Sequence, residues 1–212
     1  MKLYKNQNPA VSVIIPTFNR EKLLKRAIDS VLSQSYKYWE IIVVDDGSSD
    51  DSYKYVFELQ NEYPNIKYIR HSNRKLPITM NSGILLAAGK YVTFLGSDDE
   101  YKSDHLQLRV EYMENHPEIE LIHGGVDIIG TPYVKDKEDR SKWIHLDQCV
   151  IGGTFFGVKR LFQHFNGFND VYYSEDSDFF DRISGKAKID KVNYPTYIYH
   201  RETEDSIATN IE

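Results

Sequence analysis

Residues 91–100, Tyr91-Val92-Thr93-Phe94-Leu95-Gly96-Ser97-Asp98-Asp99-Glu100, deliver two adjacent carboxylates at the point where a buried strand has to stop. Tyr91 to Leu95 has the β-branched and aromatic content of such a strand, and Gly96-Ser97 breaks it. Ionised carboxylates side by side repel, so the pair is comfortable only in open water or beside a cation. A second strand upstream ends the same way: Glu40-Ile41-Ile42-Val43-Val44 runs out into Asp45-Asp46-Gly47-Ser48-Ser49-Asp50.

The surrounding segments alternate in type. Val11 to Thr17 reads as a buried strand that Pro16 closes, since proline cannot donate to a ladder. Asn19 is placed to cap a helix in which Leu23, Leu24, Ala27, Ile28, Val31 and Leu32 recur at helical spacing through Ser33. Tyr53, Val56, Phe57 and Leu59 predict a second helix, Ile66 to Ile69 a third strand, and Ser72 to Pro77 a polar, basic loop. Ile78 to Ala88 reads as a helix with Gly89 as its C-terminal cap, which leads back to the strand at Tyr91. Such alternation predicts an α/β fold with a Rossmann-like, mostly parallel sheet covered by helices on both faces, and these sheets bind ligands at the carboxyl ends of their strands. Thr17, Asp46 and Asp98-Asp99 all fall on that edge. Beyond it the pattern predicts a helix at Leu106 to Asn115, a strand at Ile119 to His123 and a charged surface loop at Thr131 to Lys142. A strand crossing the sheet follows at Val150 to Val158, a short helix at Lys159 to Phe165 and a turn at Asn166 to Asn169. Tyr172 to Asp176 introduces a helix at Asp178 to Ser184, and short strands at Lys188 to Val192 and Tyr197 to His200 follow.

The 212 residues suffice for one domain with a full core. A net charge of -6 argues against general nucleic-acid binding, which leaves a basic footprint. Cys149 is the only cysteine, so an internal disulfide and the usual zinc clusters are excluded and a reducing compartment, the cytoplasm, is the default. Met1 to Pro9 lacks the apolar segment of a signal peptide, and no run approaches the roughly 20 apolar residues of a membrane span. Contact with a membrane would be from one side, at its inner face.

Neither the G-x-G-x-x-G of dinucleotide-binding domains nor the G-x-x-x-x-G-K-[ST] of P-loop enzymes is present. Acids on neighbouring strand ends suit a bridging divalent cation, because Mg²⁺ typically takes one or two carboxylates plus substrate phosphates. That points to a nucleotide diphosphate compound. The ordered set Val11 to Arg20 (VSVIIPTFNR), Val43 to Asp50 (VVDDGSSD), Asn81-Ser82-Gly83 ahead of Ala88-Gly89-Lys90-Tyr91, then Ser97-Asp98-Asp99 and Glu175-Asp176, resembles the family 2 glycosyltransferases of the GT-A fold. The likeness covers nearly the whole chain, residues 1–212 as one domain, with about 10–100 as the nucleotide-binding half and about 101–212 as the acceptor-binding half.

The resemblance implies transfer of a sugar, with inversion, from a nucleotide-sugar donor to a hydroxyl of a saccharide or lipid-linked saccharide acceptor, in cell-surface polysaccharide or glycoconjugate synthesis. By the same match Asp46 contacts the base, where an acceptor-only carboxylate favours uracil or thymine, whose N3 carries a hydrogen; the alternative is a turn aspartate capping the next helix. Pro16 and Thr17 line the base and ribose pocket, Phe18 flanks it or packs in the core, and Arg74 faces the donor phosphates or solvent. Asn81 matches an asparagine near the donor or caps its helix. Ser97 and Asp98 lie at the ribose, and Asp99 ligates Mg²⁺ or Mn²⁺, with the late histidine His200 as a second ligand. Relatives often carry an acid where this chain has Gly96. Asp176 is the catalytic base with Glu175 its orienting partner, or the base if the register is one residue off; alternatively both favour a helix N-terminus electrostatically. The Gln-x-x-Arg-Trp motif of processive synthases is absent, which favours one sugar per encounter. The rival readings are a non-catalytic nucleotide-sugar binding module and a sugar nucleotidyltransferase of similar topology.

Overall fold

The computed structural model describes residues 8–202; residues 1–7, where most of the Met1 to Pro9 stretch falls, and residues 203–212 lie outside it. The first half follows the predicted alternation: β1 (Val11–Thr17), α1 (Glu21–Leu32), β2 (Trp39–Asp45), α2 (Ser52–Glu62), β3 (Ile66–Arg70), α3 (Leu76–Leu86) and β4 (Tyr91–Phe94). The second half adds β5 (Glu100–Tyr101), α4 (His105–Asn115), β6 (Leu121–His123), β7 (Val126–Ile129), β8 (Tyr133–Lys135) and β9 (Trp143–His145). It ends with β10 (Phe156–Val158), α5 (Lys159–His164), α6 (Glu175–Ile183), β11 (Ile189–Lys191) and β12 (Tyr197–His200).

Side chains alternate across a strand, so a sheet buried on both faces needs apolar residues at every position. Strand β1 meets this requirement from Val11 to Ile15 except at Ser12, whose hydroxyl donates to Glu40: Val11, Val13 and Ile15 pack with Leu24 and Ile28 of α1, while Ile14 packs on the opposite face with Met80 and Ile84 of α3. The central sheet runs β11-β6-β10-β4-β1-β2-β3. All its pairings are parallel except those of β10, which is antiparallel to both neighbours. A smaller sheet, β5-β12-β7, starts directly after the acidic turn of β4 and so stands at the carboxyl edge.

Four local expectations give way to tertiary contacts. Helix α1 begins two residues after Asn19, and its first free N–H, from Glu21, is taken by Asp50 Oδ2 at 3.0 Å instead. Asp50 also accepts from Ser52 at the start of α2, so one carboxylate satisfies two helix starts. Gly89 is no helix cap, since α3 ends in extended backbone at Ala87, and its N–H donates to Ser12 Oγ. Of the strand predicted at 150–158 only Phe156–Val158 extends; Gly152–Thr154 is a 3₁₀ turn. The charged loop predicted at 131–142 contributes β8 to an antiparallel hairpin with β9.

Candidate functional site

The ends of β1 and β2 are locked together. Asp46 donates its N–H to Thr17 O at 2.9 Å, and Asn19 Oδ1 accepts from Ser49 N at 2.7 Å. Asp45 has a structural task, accepting from Ser48 N at 2.7 Å and Tyr68 Oη at 2.5 Å. The Asp46 carboxylate turns the other way and is held by the loop after β3, accepting from Arg74 N at 2.6 Å and Lys75 N at 3.0 Å, with His71 Nδ1 3.2 Å away. Arg74 therefore contributes its backbone, and its side chain is exposed. Two buried atoms here have no hydrogen-bond partner, Thr17 Oγ1 and His71 Nε2. Buried polar atoms are rarely left so, and each is a ready contact for a polar ligand. Pro16 is half-buried beside them, and Phe18, 44 % exposed, is on the rim rather than in the core.

At the end of β4 the two acids are divided. Asp98 Oδ2 lies 2.5 Å from Arg20 Nη1, and its backbone carbonyl accepts from Arg26. Asp99 turns inward and is 3 % exposed, with Ser97 buried beside it. It accepts from Tyr197 Oη at 2.5 Å and from the His200 N–H at 2.9 Å. Burial, and then the charge of Asp98, pushes the Asp99 carboxyl up to about 7. His200 thus reaches Asp99 through its backbone; its imidazole lies between Glu100, 2.8 Å from Nε2, and Glu202, 3.1 Å from Nδ1.

A divalent cation can be tested against these groups. Among the described residues no set of three or more His, Cys, Asp and Glu side chains converges as a ligand cage. Mg²⁺ seldom uses such a cage, taking one or two carboxylates and completing its shell with water and phosphate. Asp99 fits that pattern, since its ionisation is opposed by burial and by Asp98, a penalty that a nearby cation removes.

The second acidic pair opens α6. Asp176 Oδ2 accepts from Gly152 N at 2.8 Å and Oδ1 from Ser177 N at 2.7 Å. Burial, and then Asp176, pushes Glu175 up to about 7, and burial raises Asp176 as well. The turn that holds Asp176 also abuts the support of Asp99. A Cβ on Gly152 would lie 2.8 Å from Asp176 Cβ, and one on Gly153 would lie 2.4 Å from the Tyr197 ring. Only glycines permit both approaches. Asp99 and Asp176 are therefore braced from one wall, formed by Gly152–Thr154 and β12.

Asn81 is put to other use. Its Nδ2 donates to Phe168 O and its Oδ1 accepts from Phe168 N, both at 2.8 Å, so its amide is spent on the turn before α6. Arg182 secures the same turn by donating to Phe165 O at 2.7 Å and Gly167 O at 2.5 Å. The expected donor contact is replaced by a positioning one, because the partner 87 residues away decides where an amide points.

Four contributors were missed from sequence. Arg20 was signalled by its place in the β1 turn, opposite an acid that needs a cation. His71 sits one residue before the loop singled out. Tyr197 and the Gly152-Gly153 pair had only a weak signal, two adjacent glycines inside a segment of strand-like composition.

The sequence matches the model of the family described as glycosyl transferase family 2 over residues 12–171. It is 31% identical over 217 aligned residues to the GalNAc(5)-diNAcBac-PP-undecaprenol beta-1,3-glucosyltransferase of Campylobacter jejuni, an alignment covering 94% of this chain and 67% of that protein. Glycosyltransferase GlyA of Streptococcus pneumoniae is 28% identical over 85% of this chain, which spans only 24% of the relative's length. Among solved structures, S. aureus TarS 1-349 in complex with UDP-GlcNAc superposes with a TM-score of 0.80 at 21% identity, covering 95% of this chain and 61% of that one. Mannosyltransferase PcManGT from Pyrobaculum calidifontis, in complex with GDP-Man and Mn²⁺, gives 0.71 at 17% identity, covering 91% and 57%. At these identities the two structures speak to the fold alone.

Proposed function

The chain belongs to glycosyl transferase family 2 and has the GT-A fold, and from that premise we propose that it moves a single sugar, with inversion, from a UDP- or dTDP-sugar to a hydroxyl of a saccharide or lipid-linked saccharide. The observation that carries this reading is the common wall that braces Asp99 and Asp176. Such a wall sets the distance between the group facing the donor diphosphate and the group facing the acceptor.

In this reading Asp46, Thr17 and His71 face the base, with Pro16 and Phe18 at its edge. Ser97 and Asp98 face the ribose, and Arg20 holds the Asp98 carboxylate in place. Asp99 would hold a divalent cation, Mg²⁺ or Mn²⁺, whose charge supplies electrostatic stabilisation of the departing diphosphate. His200 steadies Asp99 through its N–H. Asp176 takes the proton of the acceptor hydroxyl while that oxygen bonds to the anomeric carbon and the carbon–diphosphate oxygen bond breaks on the opposite side. Its raised proton affinity suits a base working near neutral pH. Glu175, adjacent and also raised, keeps a second negative charge from forming easily beside it.

No helix among the described residues is long and apolar enough to cross a membrane. The Campylobacter relative is named for an undecaprenol-linked acceptor. A lipid-linked acceptor would bring this chain to the inner membrane face as a peripheral visitor from the cytoplasm. The test is hydrolysis and transfer from a panel of UDP- and dTDP-sugars, with and without EDTA. Turnover that EDTA abolishes is expected, and UDP binding without any turnover would favour a non-catalytic module instead.

A further inference from the structure

We propose that the β8–β9 hairpin, together with Tyr172, is the platform on which an uncharged saccharide part of the acceptor stacks, a refinement that rests on the transferase reading above. Cross-strand register pairs Tyr133 with His145 and Lys135 with Trp143, so these four side chains share one face, while the intervening Val134 is buried beneath. On that face Tyr133 is 47 % exposed and Trp143 55 %, and the neighbouring Tyr172 is 76 % exposed. The rings are held in place: Lys135 Nζ lies 4.3 Å from the Trp143 centroid, Arg140 lies 5.1 Å from that of Tyr172, and Tyr133 meets His145 edge-on at 5.3 Å. Large rings fixed by neighbours yet open to water lose little entropy when a flat ligand covers them.

The hairpin is joined to the catalytic wall along its free edge. Tyr133 O accepts from Arg201 at 3.1 Å, and Lys135 O accepts from Tyr173 Oη at 2.9 Å. Tyr173 stands three residues before Asp176, so the platform is tied to the segment that carries the proposed base. Charge selects the occupant. Residues 131–148 carry four Lys and Arg against four Asp and Glu, and Lys137 pairs with Asp181 and Lys142 with Asp139. An anionic leaflet is attracted by an excess of cations, which this surface lacks. A neutral pyranose has an apolar C–H face for the rings and hydroxyls for the Lys135, Arg140 and His145 heads around them.

Trp143 also supplies the assay, because the other tryptophan, Trp39, is buried. The full chain is titrated with soluble neutral oligosaccharides, α- and β-linked glucose and N-acetylhexosamine oligomers, and acrylamide quenching of Trp143 is followed. Saturable protection by a saccharide is expected, with no protection by phosphatidylglycerol vesicles. By calorimetry Trp143→Ala and Tyr133→Ala should each weaken that saccharide about tenfold. Trp143→Phe, which keeps a ring, should stay within threefold, all three variants melting like the parent. Protection by vesicles alone, by nothing in the panel, or unchanged affinity in both alanine variants overturns the proposal. UDP and dTDP affinity, measured in parallel, reads the donor site. Saccharide protection without binding of either UDP or dTDP would sink the transferase reading and leave the platform standing, whereas nucleotide binding without saccharide protection would do the reverse.

Discussion

Replacing Asp99 by Asn should stabilise the cation-free protein at pH 8 relative to wild type by about 2 to 3 kcal/mol more than it does at pH 5. The Asp99 carboxyl is buried to 3 % exposure, and its pKa is raised from 3.8 to about 7 by burial and by Asp98. An acid with a raised folded-state pKa holds its proton in the native state at a pH where the unfolded chain has lost it. Stability therefore falls as pH rises from about 4 to about 7 and is flat on either side. At pH 5 the native carboxyl is still protonated and little more than a third of a roughly three-unit shift has been lost; by pH 8 nearly all of it has, at about 1.4 kcal/mol per unit. Asn cannot ionise, yet it can accept from the His200 N–H and donate to the Tyr197 oxygen, so both native contacts survive. Any packing change on substitution is the same at both pH values and cancels in the comparison, as does the titration of Glu175.

For a chain of this size the difference corresponds to roughly 5 to 10 °C in Tm. Melting curves of both proteins across pH 4.5 to 8.5 in EDTA would measure it. A gap between the two curves that does not widen with pH would refute the claim that Asp99 is held against its own ionisation. The same variant should lose metal-dependent UDP affinity.

Three further outcomes are expected. Asp176→Asn should lower transfer by at least about 10²-fold while UDP affinity stays within twofold, and wild-type activity in this variant would remove Asp176 as the base. Asn81→Ala leaves the Phe168 N–H and C=O without their partner and should lose about 1 to 3 kcal/mol in denaturant unfolding with unchanged UDP affinity. Weaker UDP binding at unaltered stability would instead return Asn81 to the donor site. Gly153→Ala sets a methyl 2.4 Å from the Tyr197 ring and should cost about 1 to 3 kcal/mol, together with weaker cation-dependent UDP binding, since Tyr197 carries Asp99. A neutral result in calorimetry and melting would mean the shared wall is loose.

Strands that end in acids were legible because they combine two local signals, an apolar run and an abrupt charge. Both survive without knowledge of neighbours, and β1, β2 and β4 appear where the pattern puts them. Helix α6 begins at Glu175 rather than Asp178, because two acids and a left-handed Ser174 (φ 62°) at its start mask the apolar periodicity. Asn81 and His200 show the limit of matching residues to a pattern. The pattern picks out both residues, but the Asn81 amide is aimed by Phe168 and the His200 imidazole by Glu100 and Glu202. The β8–β9 hairpin was hidden by the charged stretch between its strands, where no two-residue turn signal marks the reversal.

The two acidic pairs differ in a way that bears on their proposed tasks. Asp98 faces a guanidinium at 2.5 Å, which fixes its carboxylate by a charge-assisted contact. Asp176 is held by two backbone N–H groups and, among the described residues, by no ion pair with Lys or Arg. A permanent cation at Asp176 would orient it equally well but would lower its proton affinity, and a base that cannot keep the proton it receives does not assist an attacking hydroxyl. Neutral donors fix the carboxylate while burial keeps its proton affinity high. The use of glycine at position 152, where the backbone itself comes within 2.8 Å of the carboxylate, follows from that need: a neutral N–H reaches Asp176 only where no side chain stands between.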